Sequence, residues 1–296
     1  MSASYFFILN SRIGVKKIQQ VEDALAEHFS TEKTYVGKTK FGGHATSLCK
    51  QALEEGYTHV VAVGGDGTVN EIIQVLANTQ VILAIVPCGS GNGLARHCGI
   101  PLAISEAVRN VLDGHSVCID LGKANNIYFI SNAGVGIDAL VCADIKNSTK
   151  RGLKMYVWYV AKRYLTYKPE LYDIRIDDSK TVQRRGFFMN IANGKQFGYG
   201  FEIAPEASLQ DGMLDLIVVQ RMGIMQSIKF VWDGWRKKLI YNKHCLYERG
   251  EVFQVKADAL SYFQADGDAH QCEGICTFRI MKDALHLMIP EHIRSI

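Results

Sequence analysis

Gly64-Gly65-Asp66-Gly67-Thr68 is the stretch that decides the fold. An apolar run, His59-Val60-Val61-Ala62-Val63, leads into it, and Val69-Asn70-Glu71-Ile72-Ile73-Gln74-Val75-Leu76-Ala77 leaves it with helical periodicity. Strand, glycine turn and helix start together form a layout suited to phosphate. Glycines let the backbone adopt conformations closed to other residues and let a ligand approach closely. The unpaired N–H groups and the dipole at a helix start both favour an anion. Asp66 stands in the middle of the turn. Beside phosphates it would be repelled unless it holds a cation or accepts a proton from a substrate. The G-x-x-x-x-G-K-[ST] and strand-borne G-x-G-x-x-G loops are both absent from the sequence.

Upstream, residues 5–9 read as an apolar strand buried on both faces. Val15, Ile18, Val21, Leu25 and Phe29 trace one face of a helix. A short strand over 34–36 follows, then a helix carrying Ala45, Leu48, Cys49, Ala52 and Leu53, stopped by Gly56. Downstream, the apolar strand 81–86 opens into a second glycine loop, Pro87-Cys88-Gly89-Ser90-Gly91-Asn92-Gly93-Leu94-Ala95-Arg96. Ser105 is placed to cap a helix over 106–112. Strands alternating with helices imply a parallel sheet covered on both sides, and ligands of such sheets bind at the carboxyl ends of the strands. Two glycine loops at neighbouring strand ends are therefore expected to cradle one nucleotide.

The pattern changes near residue 117. Strands are expected over 117–122, 127–132, 172–176, 185–192, 214–220, 251–257, 262–265 and 285–289, which makes a mostly antiparallel β domain. Two helical stretches interrupt it. Residues 155–165 are rich in aromatic side chains beside Lys162 and Arg163, and residues 225–241 hold Phe230, Trp232 and Trp235 beside Arg236, Lys237 and Lys238. Each has two readings, a helix packed on the β domain or one resting at a membrane interface.

Lys and Arg total 33 against 30 Asp and Glu, so the net charge is +3, too small to imply nucleic acid as the main partner. Weak attraction to an anionic membrane surface is allowed. No basic segment followed by an apolar one opens the sequence, so no secretory signal is expected, and no run approaches a membrane span of about 20 residues. Eight scattered cysteines form no zinc spacing and read as reduced thiols of a cytoplasmic protein.

The run Gly64-Gly65-Asp66-Gly67-Thr68-Val69-Asn70-Glu71 resembles the GGDGT-x-NE signature of the diacylglycerol kinase catalytic family, which includes bacterial lipid kinases and sphingosine kinases. NAD kinases and phosphofructokinases share its GGDG core. The second loop resembles the family's P-x-G-[TS]-G-N segment through Pro87, Gly89, Ser90, Gly91 and Asn92, followed by Leu94-Ala95. GSGN followed by a small residue and Leu-Ala is closer to the sphingosine kinase branch. Asn10 and Gly14 resemble an N-P-x-x-G turn with Ser11 in place of Pro, and Thr39 with His44-Ala45 resembles a T-x(n)-G-H-A segment. Asn132-Ala133-Gly134-Val135-Gly136-Ile137-Asp138 resembles the start of the family's second domain.

The resemblance implies an α/β N-terminal domain with a parallel sheet, residues 1–118 completed by about 285–296, and a C-terminal antiparallel β-sandwich, 119–284. It implies an ATP-dependent lipid kinase acting on a hydroxyl of diacylglycerol, a sphingoid base or a similar lipid that enters a cleft between the domains. An NAD kinase-like enzyme and a nucleotide-binding regulator without turnover are the alternatives. The nucleotide contacts expected are Asn10, Thr39, Gly64, Gly65, Asp66, Gly67, Thr68, Asn70, Glu71, Gly89, Ser90, Gly91 and Asn92. Asp66 would help to hold magnesium or orient the hydroxyl. In Asp266-Gly267-Asp268, resembling the family's D-G-E, Asp268 replaces Glu as the base. Asp211-Gly212-Met213-Leu214-Asp215 resembles D-G-x-L-D. There the resemblance places a second Mg2+ on the Asp211 side chain and the carbonyls of Ser208 and Met213, while the residues alone allow an ordinary β-turn. The expected partners are a lipid substrate and no nucleic acid, with peripheral contact at the inner membrane face and a homodimer both allowed.

Overall fold

A computed structural model describes residues 3–29, 33–146, 153–198, 201–239, 242–294 and 296. The chain divides into two compact units, Met1–Leu121 with Lys282–Ile296, and Gly122–Met281.

The first unit alternates strands and helices. In order it holds β1 (Ser4–Leu9), α1 (Val15–His28), β2 (Lys33–Lys38), α2 (His44–Glu54), β3 (His59–Gly64), α3 (Asp66–Leu76), β4 (Ile82–Pro87), α4 (Gly93–His97) and α5 (Ile104–Asp113). β2, β1, β3 and β4 lie side by side, all parallel. Their apolar runs are buried because helices cover the sheet: β1 and β3 are buried at every position. Tyr5, Phe7, Leu9, Val61, Val63, Ala84 and Val86 pack against Val21 and Ala24 of α1 and Ala107, Val108 and Val111 of α5.

β5 (His115–Ala124) leads into the second unit. There follow β6 (Ile127–Phe129), β7 (Asn132–Gly136), α6 (Ile137–Lys146), α7 (Leu153–Thr166), β8 (Glu170–Ile176), β9 (Lys180–Gly186), β10 (Phe188–Ala192), β11 (Gln196–Gly198) and β12 (Phe201–Glu202). β13 (Leu214–Val219), α8 (Ile224–Trp235), β14 (Cys245–Gly250), β15 (Val252–Lys256), β16 (Tyr262–Ala265), β17 (Asp268–Gln271) and β18 (Ile275–Ile289) complete it. One antiparallel sheet runs β14-β13-β10-β7-β16-β17. β9, β8, β15 and the first half of β18 pair antiparallel in a second layer. Val135, Met189, Leu216 and Phe263 of the first layer share a core with Tyr172, Ile174, Phe253 and Phe278 of the second, which makes a β-sandwich. β18 ends in the first unit, where His286 and Leu287 pair parallel to β4.

Several elements depart from the sequence reading. The strand expected over 127–132 breaks after Phe129, because the amides of Ile130, Ser131 and Asn132 donate to the Asp266 carboxylate instead of to a neighbouring strand. The strand expected over 185–192 is two strands that belong to different layers, divided at Phe187. α6 was not expected: it is buried on several faces, at Ile137, Asp138, Ala139, Val141 and Cys142, so its sequence shows no amphipathic period. The helix expected over 225–241 ends at Trp235, two residues before Lys237 takes a positive φ of 59°; residues 240 and 241 lie outside the described residues.

Candidate functional site

In the first unit, the carboxyl ends of the parallel strands carry the expected residues. Asn10 follows β1, Thr39 follows β2, Gly64 ends β3, and Gly89 follows β4. The Asn10 amide nitrogen donates to the Thr68 hydroxyl at 2.9 Å, and the Ser11 N–H donates to the Thr39 hydroxyl at 3.3 Å. The Thr39 N–H donates to the Leu9 carbonyl at 2.9 Å. These bonds fix the strand ends to one another.

The two glycine loops meet backbone to backbone. A Cβ on Gly65 would lie 3.0 Å from the Gly89 Cα, and a Cβ on Gly89 would lie 2.6 Å from the Gly65 Cα. Only glycine at both positions permits that approach. The Cys88 N–H donates to the Gly64 carbonyl at 2.7 Å, and the Gly93 N–H donates to the Asp66 carboxylate at 2.7 Å. Asp66 thus ties the first loop to the second while remaining exposed. Asn92, in the left-handed region at φ 52°, brackets Gly89: its side chain accepts from the Gly89 N–H at 2.9 Å and donates to the Gly89 carbonyl at 3.1 Å.

The expected contacts separate into two sets. Gly67, Ser90 and Asp66 are exposed, and Gly65, Gly89 and Gly91 are half-buried. Thr68 and Asn70 are buried, with Asn70 accepting from the Gln74 side chain at 2.9 Å. Both Glu71 oxygens accept backbone amides at the start of α2, from Gly43 at 2.9 Å and Ala45 at 3.0 Å. Glu71 therefore caps α2, a role the sequence reading did not give it. Two cations also escaped that reading. The Lys17 ammonium donates to the Cys88 carbonyl at 2.7 Å, and Arg96 Nε donates to the Gly91 carbonyl at 3.1 Å. Arg96 closes the second loop as quoted, where it was given no role; Lys17, on α1, gives no signal in the sequence. A cleft of about 620 Å3 opens beside the second loop, with Lys17, Ser90, Asn92 and Arg96 among its lining. Asp23 and Glu27 also line it, so its charge is mixed.

In the second unit, Asp266 and Gly267 form the two-residue turn between β16 and β17, with φ of 46° and 86°. These positive values are those of a type I′ hairpin, which Asp-Gly favours. Asp266 is engaged in the fold. Its carboxylate accepts the amides of Ile130 at 2.8 Å, Ser131 at 2.8 Å and Asn132 at 3.1 Å. The Gln264 side chain accepts from the Gly267 N–H at 2.9 Å and donates to the Asn132 side chain at 3.0 Å. Asp268 comes next, exposed at the first position of β17. These bonds fasten the hairpin, and Asp268 is the carboxylate that it presents.

Beside β17, Asp138 is buried in the first turn of α6 and accepts from the Tyr156 hydroxyl at 2.6 Å. Burial pushes its carboxyl up to about 6, against the opposing pull of hydrogen bonds from Tyr156 and Gln264. The sequence alone assigns Asp138 no role.

Ser208, Asp211 and Met213 fall in the loop before β13. One Asp211 oxygen accepts the Met213 N–H at 3.1 Å and the other pairs with the Arg249 guanidinium. Arg249 also reaches the buried Asp215, at 3.1 Å. The Arg249 guanidinium is thus shared between the Asp211 and Asp215 carboxylates, and both Asp211 oxygens are engaged within the fold. Asp66, with its exposed carboxylate between two backbone loops, does fit a magnesium ion carried by phosphates.

Residues 4–124 match the family model of the diacylglycerol kinase catalytic domain, and residues 131–289 match that of the YegS C-terminal NAD kinase beta sandwich-like domain. The chain belongs to the diacylglycerol kinase catalytic-domain family. It is 29% identical over 241 residues to a diacylglycerol kinase of Bacillus subtilis, covering 80% of this chain and 79% of that one. It is 28% identical over 263 residues to one of Staphylococcus carnosus, covering 87% and 85%. A diacylglycerol kinase structure from Bacillus anthracis shares the fold with a TM-score of 0.78 at 22% identity, covering 97% and 96%. An NAD kinase of Archaeoglobus fulgidus, solved in complex with ATP, shares it more loosely, with a TM-score of 0.55 at 13% identity over 98% and 94%. The fold class and family expected from the glycine loops are therefore correct, and this family of lipid kinases sets the coarse activity.

Proposed function

We propose that the chain transfers the γ-phosphate of ATP to a hydroxyl of a lipid such as diacylglycerol or a sphingoid base. The observation that carries this reading is the backbone contact of Gly65 with Gly89, which sets two glycine loops side by side at the ends of β3 and β4. Amides of the two loops, the start of α3 and the Ser90 hydroxyl bind the phosphates. Thr68 with Asn10, and Asn92 with Gly89, hold those loops in shape, while Thr39 ties the end of β2 to the segment after β1 and Glu71 caps α2.

Phosphoryl transfer needs positioning and charge neutralisation more than covalent chemistry from the protein. Magnesium, when bound, would neutralise phosphate charge, and Asp66 is the carboxylate that would hold it. Asp268 takes the proton of the acceptor hydroxyl as the oxygen–phosphorus bond forms and the bond to the ADP oxygen breaks.

The test is incubation with ATP labelled at its terminal phosphate and a panel of long-chain diacylglycerols, sphingoid bases and other alcohols, with NAD in parallel. Labelled lipid in an organic extract, identified by mass, supports the proposal and names the acceptor class. Label on NAD alone, or nucleotide binding without transfer, overturns it.

A further inference from the structure

We propose that α8, with the neighbouring end of α7, is a docking surface for a bilayer containing acidic lipid. It needs nothing from the transfer reaction and stands if that reading fails. α8 turns an apolar face to solvent: Ile224, Met225, Ile228, Val231, Trp232 and Trp235 are all exposed, from 40% at Val231 to 79% at Met225. At 100° per residue these six fall within an arc of about 120°. The opposite side holds the helix to its unit, through Phe230 beside Phe201 and through buried Asp233 and Gly234. α7 repeats the pattern with exposed Val157, Trp158 and Leu165. The two helices are tied together: the Tyr164 hydroxyl reaches the Met222 carbonyl and lies 3.2 Å from the Ser227 hydroxyl, and Arg221 donates to the Tyr164 carbonyl at 3.3 Å.

Three features choose the occupant. First, the chain has three tryptophans, and Trp158, Trp232 and Trp235 are all here, each 53–58% exposed. Tryptophan prefers the interface between lipid and water. Second, the charge is one-sided. Residues 221–238 hold five Lys or Arg and one acid; that acid, Asp233, is buried and bound by Lys229 and Asn242, and Lys237 pairs with Glu202 outside the stretch, which leaves Arg236 and Lys238 to set the charge of the end of α8. Residues 153–166 hold no acid at all, and Lys162 sits over the Trp158 ring at 5.4 Å. A second copy of the same surface would set Arg236 and Lys238 against their own kind, whereas acidic headgroups complement them. Third, α8 is 12 residues long, and no helix among the described residues is long and apolar enough to cross a membrane. Such a helix lies along the surface.

The full chain, without nucleotide, is mixed with vesicles of phosphatidylcholine alone or with phosphatidylglycerol added. Binding is read by co-sedimentation and by tryptophan emission, which reports this surface directly because every tryptophan lies on it. Selective binding to the phosphatidylglycerol vesicles with a blue-shifted emission is expected. Ile228→Glu, a substitution at an exposed site, should weaken binding at least tenfold, and Arg236→Gln with Lys238→Gln about 25-fold, roughly fivefold per charge. Unchanged melting temperatures establish that these variants are folded. Three results would overturn the proposal: no binding to acidic vesicles, binding that the variants leave intact, or a dimer mass in solution that Ile228→Glu abolishes while vesicle binding persists.

Discussion

The acidic glycine turns at 64–68 and 266–268 use their residues in opposite ways. In the turn at 64–68 the glycines let one backbone touch another, and its single acid, Asp66, both ties the loops together and faces solvent. In the turn at 266–268 the work is divided. Asp266 is bound inward by three amides, Gly267 completes the hairpin, and Asp268 alone is presented. A motif that reads as a block of functional residues is thus a mixture of groups that face solvent and groups that hold them in place. The difference is measurable, because the first kind changes transfer and the second changes stability.

The largest effect is expected where the loops touch. Gly89→Ala places a Cβ at 2.6 Å from the Gly65 Cα, so one loop must move by nearly an ångström. A shift of about 1 Å can cost a hundredfold in rate, and transfer of labelled phosphate should fall by at least that much. Asp266→Ala should act on stability first. It removes the acceptor of three amides, with a loss of about 2–4 kcal/mol in urea unfolding. If Asp266→Ala leaves stability unchanged, the division within the hairpin is wrong.

Glu71→Ala should show the same separation within the first loop's own signature. Removing the acceptor for Gly43 and Ala45 should cost about 1 kcal/mol, read by urea unfolding, with the loss of amide protection confined to the start of α2.

A pH dependence is also expected at Asp138. Its carboxyl is raised in the folded state to about 6, above its ordinary value of 3.8. A raised acid contributes stability below its unfolded value and loses it as the pH rises through its folded value. Asp138→Asn does not titrate and can still accept from Tyr156. The melting temperature of the variant relative to the parent should therefore rise between about pH 4 and pH 7. A difference that is flat across that window would contradict the burial argument.

Much of the first unit was legible because its signals are local. Apolar runs that end in glycine loops gave β1, β3 and β4 and the placement of Asn10, Thr39, Gly64 and Gly89 at strand ends. The role of Glu71 was not legible, since its partners lie 26 and 28 residues away in sequence. The second unit hid more. The break after Phe129 depends on Asp266, more than 130 residues on, and α6 lacks a period because it is buried on several faces. Nothing local to Asp211 announces that Arg249 will pair with it.

The most direct measurement compares Asp268→Asn with the parent for ATP binding and for phosphate transfer to lipid. The hairpin rests on Asp266, and the proposed function seats the phosphates on the glycine loops of the first unit, so melting temperature and ATP affinity should match the parent. Transfer should fall about a hundredfold or more, as loss of a general base requires. A variant that binds ATP and phosphorylates lipid at the parental rate would show that Asp268 does not take the proton.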